Sequence, residues 1–157
     1  MPTRSTTPNP NMSKFSNLQR LNVSEKTSWC DLPELGADAR LELKPASEAN
    51  KPYFNALLKQ SAKRARAVAR GAAITADVLS KNRDEDRVLY SEYVVKGWEG
   101  IVDAQNKLVP FSNEDCVEFL KALPDWLFDR IRNHASAPEN YVEFGDVQAE
   151  GSELAGN

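Results

Sequence analysis

The sequence predicts a mainly helical α+β fold. Three observations carry this: one long amphipathic segment at about 48–70, a strictly alternating apolar stretch at Leu41 and Leu43, and a readable helix start at Phe111–Asp115. The 157 residues suit one modest core flanked by polar ends, with 41% hydrophobic and 27% charged content and a net charge of −3.

The ends differ from the middle. Residues 1–27 hold Arg4, Lys14, Arg20 and Lys26 against Glu25, with many Ser, Thr and Asn, and read as a flexible basic arm. Translation starting at Met12 rather than Met1 would remove the first part of it. Residues 137–157 hold Glu139, Glu143, Asp146, Glu150 and Glu153 without Lys or Arg, and read as an acidic flexible tail. The globular domain is expected over 28–136.

Within that domain the first element is a hairpin at about 29–44. Leu41 and Leu43 alternate with Arg40, Glu42 and Lys44, the period of a half-buried strand. Pro33 has no amide donor, so the strand before it should be short or at an edge. A helix at about 48–70 follows, with Ser47 as N-cap and Gly71 as the C′ stop. Phe54, Leu57, Leu58, Ala62, Ala65, Val68 and Ala69 form its expected apolar face. A weaker helix is expected at about 83–96, carrying Val88, Leu89, Tyr93 and Val94.

Gly97 and Gly100 interrupt the helical pattern and open a second small hairpin at about 98–110. Asn106 is the residue of its loop best suited to positive φ. Ser112 then caps a helix at about 113–123, Phe111 can staple against Cys116, and Cys116, Phe119, Leu120 and Leu123 make its buried stripe. Pro124 ends it, and Asp125 can cap a last helix at about 126–134 through Trp126, Leu127, Phe128 and Ile131.

Several function classes find no support in these residues. The scattered carboxylates, the lone His134 and the isolated Cys30 and Cys116 supply no catalytic, cofactor-binding or metal-binding constellation, so no enzyme is expected. His134 reads as a solvated residue at a helix end, and both cysteines as reduced thiols. No apolar run approaches the roughly 20 residues of a membrane span, and the start lacks a secretory h-region, so no membrane association is expected.

The most prominent charge pattern is a stripe of Lys59, Lys63, Arg66 and Arg70 along one helix face. Such a stripe can be plain solvated surface, a contact for an acidic protein or the acidic tail, or a phosphate-backbone site. Overall acidity and the lack of interleaved aromatics disfavour nucleic acid. Trp98 and Trp126, at exposed edges, are the other candidate partner contacts, although Trp98 fits the core better.

The densest segment is Gly97-Trp98-x-Gly100-Ile101-Val102-Asp103, followed by Val109-Pro110-Phe111-Ser112 and a helix. This run resembles the tail assembly chaperones of long-tailed, siphovirus-like bacteriophages. The upstream Ala39–Lys44 segment and the basic helix containing Tyr53 are similar too, so the resemblance spans roughly Trp29 to Ile131. One departure is Asn106, where members often have Gly.

The resemblance implies a non-enzymatic chaperone in the host cytoplasm that binds the tape measure protein and helps recruit tail tube subunits. Alternatives are a structural protein of the tail or head–tail junction and a nucleic-acid-binding regulator using residues 59–70. Homo-oligomerisation through the oppositely charged ends is a further expectation.

Overall fold

A computed structural model describes residues 13–142. The first twelve residues of the expected arm, and residues 143–157 of the expected acidic tail, lie outside that range. Among the described residues the order is β1 (Ser28–Asp31), β2 (Arg40–Leu43), α1 (Lys51–Ala69), α2 (Ala76–Tyr93), β3 (Val95–Glu99), α3 (Asn113–Ala122) and α4 (Asp125–Ser136). Short 3-10 turns occupy Ser16–Leu21, Pro33–Leu35 and Pro138–Asn140. The mainly helical α+β expectation is met.

The three strands form one antiparallel sheet in the order β1-β2-β3. Cys30 pairs with Leu41, and Leu41 in turn pairs with Trp98. Central β2 buries Leu41 and Leu43 completely while Arg40 and Glu42 stay partly exposed, as the alternation predicts. β1 is an edge strand that ends before Pro33, where the chain enters a 3-10 turn.

The second expected hairpin takes a different form. Its first strand, β3, pairs with β2 and so completes the first sheet; the return across 101–109 is held by one isolated bridge, Val102 to Leu108. The loop is built by Asp103, whose Oδ1 accepts from Gln105 N and Lys107 N, both at 2.9 Å, and Asn106 has φ 63° as expected. Gly100 (φ 70°) admits no side chain: a Cβ there would lie 2.5 Å from the carbonyl atoms of Asp38.

The core lies between the sheet and the helices. Leu32, Leu41, Leu43, Val94, Cys116, Leu120, Phe128 and Ile131 have no exposed surface. Tyr90 sits edge-on to both Tyr53 and Phe128, at centroid distances of 5.7 and 5.5 Å. Ser112 caps α3 by accepting from Asp115 N at 3.1 Å, as its position predicts. Both cysteines are free and buried, and burial pushes the Cys116 thiol up to about 12 and the Cys30 thiol up to about 11.

Tyr141 closes the fold near its carboxyl end. Its buried hydroxyl donates to the Leu43 and Lys44 carbonyls, and its own carbonyl accepts from Ser24 N at 2.8 Å.

Four local expectations are corrected. The N-cap of α1 is Asn50 rather than Ser47, because Asn50 does two things at once. Its Oδ1 accepts from Tyr53 N, and its Nδ2 donates to the Tyr93 carbonyl at 2.8 Å, which ties the start of α1 to the end of α2. Helix α2 begins at Ala76, not near Arg83, and ends at Tyr93, since Val95 and Lys96 are drawn into the sheet. Asp125 caps nothing; Pro124 holds the N-cap position of α4, and the Asp125 carboxylate receives Arg87. His134 is partly buried rather than solvated, because β1 passes close enough for Ser28 Oγ to lie 2.9 Å from its Nε2.

Candidate functional site: an apolar and basic helical hairpin

Helix α1 is an amphipathic helix whose apolar face is only partly used. Tyr53 is buried, and Ala56 and Leu57 pack against the core. Leu58 of the expected face is 52% exposed, and beyond Gln60 the rest of it, Ala62, Ala65, Val68 and Ala69, is exposed as well. At 1.5 Å per residue, the 19 residues of α1 extend about 28 Å. The helix therefore outruns the body that covers its first turns. The sequence-based expectation that the whole stripe faces a core is corrected here: the second half of α1 packs beside α2 and leaves its apolar residues exposed.

The turn that reverses the chain is well specified. Gly71 adopts φ 91°, its N–H donates to the Val68 carbonyl at 2.9 Å, and Ala72 N donates to the Ala67 carbonyl at 3.1 Å. This pair of bonds is a Schellman motif, which glycine at C′ allows without strain. Thr75 then starts α2, accepting from Val78 N at 3.2 Å, with Asp77 in the first turn where the helix dipole favours it. Ile74 and Leu79 occupy the N′ and N4 positions of a hydrophobic staple.

The two helices are tied at the base of this arm by Arg64. Its Nη2 donates to the Asn82 carbonyl at 2.9 Å and to Asp86 Oδ1 at 3.1 Å, with Glu85 at 4.0 Å. Farther along the hairpin they enclose an open groove of about 720 Å³. Ala65, Val68 and Ala69 line it from α1, while Ala72, Ala73 and Ile74 contribute from the turn. Val78 and Leu79 close the other side, and Lys63 and Lys81 border it. Val68, Ile74 and Leu79 are 51, 66 and 57% exposed, so these aliphatic side chains are grouped around one groove rather than scattered over the surface.

The charge on this arm is as lopsided as its polarity. From Ala49 to Lys81 there are Lys51, Lys59, Lys63, Arg64, Arg66, Arg70 and Lys81, against Asp77 alone. Arg64 is taken up by Asp86, whereas Lys59, Lys63, Arg66, Arg70 and Lys81 make no ion pair among the described residues. The expected stripe thus exists as an exposed row of cations. Lys63 borders the groove, and Lys59, Arg66 and Arg70 continue the row outside its lining.

The two tryptophans lie elsewhere. Trp98, in β3, is partly buried against Phe111 and Phe119, with centroids 5.1 and 5.2 Å away, and its Nε1 donates to the Val109 carbonyl at 2.7 Å. Trp126 is 56% exposed at the start of α4, with the Arg130 guanidinium 5.5 Å from its ring. Neither lines the groove. The residues missed from sequence are those from Ala72 to Leu79. The Thr75 cap and the Ile74–Leu79 spacing were the available signals.

Other chemistry is sparse. Among the described residues no group of three or more His, Cys, Asp or Glu side chains could hold a metal ion, and no helix is long and apolar enough to cross a membrane. Burial lowers the His134 pKa below the ordinary histidine value, a shift partly offset by the Asp31 carboxylate.

A family model described as YdaY prophage protein covers residues 48–152, which takes in the whole arm, β3, α3 and α4. No curated protein and no solved structure matches the chain.

Proposed function

The chain belongs to the YdaY prophage protein family, and from that premise we propose that it is a tail assembly chaperone. In this reading it is a non-enzymatic factor, acting in the host cytoplasm, that binds the tape measure protein and helps recruit tail tube subunits. The observation that carries the proposal is the exposed apolar groove on the helical hairpin. A tape measure protein is a very long, helix-rich chain whose apolar surfaces must be kept apart until tube subunits enclose them. An apolar groove with a charged rim can cover such surface transiently, because its polar rim keeps the free protein dispersed.

The resemblance of Gly97–Asp103 and Val109–Ser112 to tail assembly chaperones supports the same reading from a different part of the chain. Those residues form β3, the tight loop and the cap of α3, so they shape the body that carries the arm.

Co-expression with the tape measure protein of the same prophage tests the proposal. The expected result is that the tape measure protein becomes soluble and co-purifies with the wild-type chain, and that a Val68→Ser, Leu79→Ser variant loses most of this effect. A tape measure protein that stays insoluble with either form would overturn the proposal. Recovery of the chain as a stoichiometric part of finished particles would replace it with the structural-protein reading.

A further inference from the structure

We infer that the groove between α1 and the 72–79 segment is a receptor for an acidic amphipathic helix, supplied by the partner chain that the proposed function calls for. The inference rests on that reading for the identity of the partner, and on the arm itself for the chemistry of the segment bound.

Two properties of the arm define the ligand. The floor is aliphatic, and much of it is alanine: Ala65, Ala69, Ala72 and Ala73 beside Val68 and Leu79. Small side chains leave space between the helices for larger side chains from outside. A helix presenting Leu or Ile at i, i+3 or i+4, and i+7 satisfies such a groove. The groove carries Lys63 from α1 and Lys81 from α2, with Glu85 as its one lining carboxylate beside Arg64, and Arg66 and Arg70 lie outside the lining farther along α1, so the balance of charge is cationic. Carboxylates flanking the apolar row of the incoming helix would face these cations, which fixes register and accelerates encounter.

The same features disfavour three other occupants. A second copy of the arm would bring two predominantly basic hairpins together, with Asp77 and the groove-lining Glu85 of each copy against Lys59, Lys63, Arg66, Arg70 and Lys81. The 3-10 turn at Ser16–Leu21 displays Phe15, Leu18 and Leu21, but Lys14 and Arg20 give it the wrong sign. Nucleic acid matches the charge, yet no aromatic side chain lines the groove to stack on a base.

The test uses the whole chain and three helical peptides followed by fluorescence anisotropy near physiological salt. One peptide carries Leu at helical spacing among Glu residues, the second has Lys in place of Glu, and the third keeps Glu but has Ser in place of Leu. The Glu/Leu peptide should bind at least tenfold more tightly than either of the others. Lys63→Glu with Lys81→Glu, whose exposed positions leave the fold intact by circular dichroism, should reverse the preference in favour of the Lys peptide.

Equal binding of the Glu and Lys peptides, or tighter binding of a short DNA duplex or of phosphatidylglycerol vesicles, would overturn the inference. Absence of peptide binding while the tape measure protein is still captured would also overturn it, and would leave the proposed function standing. Peptide binding without capture of the tape measure protein would support the receptor chemistry and count against the proposed function instead.

Discussion

Arg64 and Asp86 join α1 to α2 at the base of the hairpin, with Nη2 and Oδ1 3.1 Å apart and the same nitrogen 2.9 Å from the Asn82 carbonyl. Arg64 is thus set apart from its neighbours Lys63 and Arg66: it works inside the protein, and they face outward. Replacing Arg64 by Ala should loosen the distal hairpin. Amide exchange across residues 61–82 should accelerate at least tenfold, while exchange in the core around Leu120 and Ile131 stays unchanged.

The groove residues should be separable from stability. Val68→Ser and Leu79→Ser remove apolar groups that are 51 and 57% exposed in the free protein, so each should lower the unfolding free energy by no more than about 1 kcal/mol. Chemical denaturation checks this. A large loss would mean that these side chains serve the fold and not a partner.

Arg87 is the contrasting case. It is 5% exposed, its Nη2 donates to the Leu123 carbonyl at 3.0 Å and to Asp125 at 2.8 Å, and its guanidinium packs over the Phe128 ring. Arg87→Ala leaves the Leu123 carbonyl without its partner and removes packing on Phe128, for an expected loss of about 2 kcal/mol. The denaturant midpoint should fall, with the slope unchanged.

Gly100→Ala should destabilise by about 2 kcal/mol or more, since φ 70° is strained for alanine and its Cβ would meet the Asp38 backbone at 2.5 Å. Gly71→Ala, with φ 91° but open space around it, should cost less and chiefly disturb the hairpin turn. Thermal unfolding of the two variants checks the order.

His134 gives a pH dependence with a definite sign. Its pKa in the folded chain is below the unfolded value, so the unfolded chain binds the proton first as pH falls. Stability is therefore full above the unfolded pKa of about 6.5 and declines as pH drops from there toward the folded pKa. His134→Gln should flatten the dependence of the unfolding midpoint between pH 7.5 and about 5.5. An unchanged slope would contradict the assignment to His134.

Features set by neighbouring residues were legible in the sequence. The alternation of β2, the Ser112 cap, the Asn106 turn and the Gly71 stop all follow from backbone preferences that need no distant partner. Contacts made across the fold were not. His134 meets Ser28 from the far end of the chain, and β3 pairs with β2 rather than with the segment after its loop.

The arm shows why periodicity alone misplaces a surface. An apolar stripe at helical spacing reads as a core face, whether the rest of the protein reaches it or not. The stripe of α1 continues beyond Gln60 after its cover has ended. The cations were found because charge is visible in sequence, while the aliphatic half of the groove, from Ala72 to Leu79, falls where α2 was not expected to have begun.

The most direct measurement places a photo-crosslinking amino acid singly at positions 68, 79 and 126, in cells expressing the tail genes of the prophage. Crosslinks to the tape measure protein from 68 and 79, with none from the exposed Trp126 position, are expected. Crosslinks from position 126 alone, or from 68 and 79 only to some other protein, would contradict the assignment of the hairpin groove as the binding site.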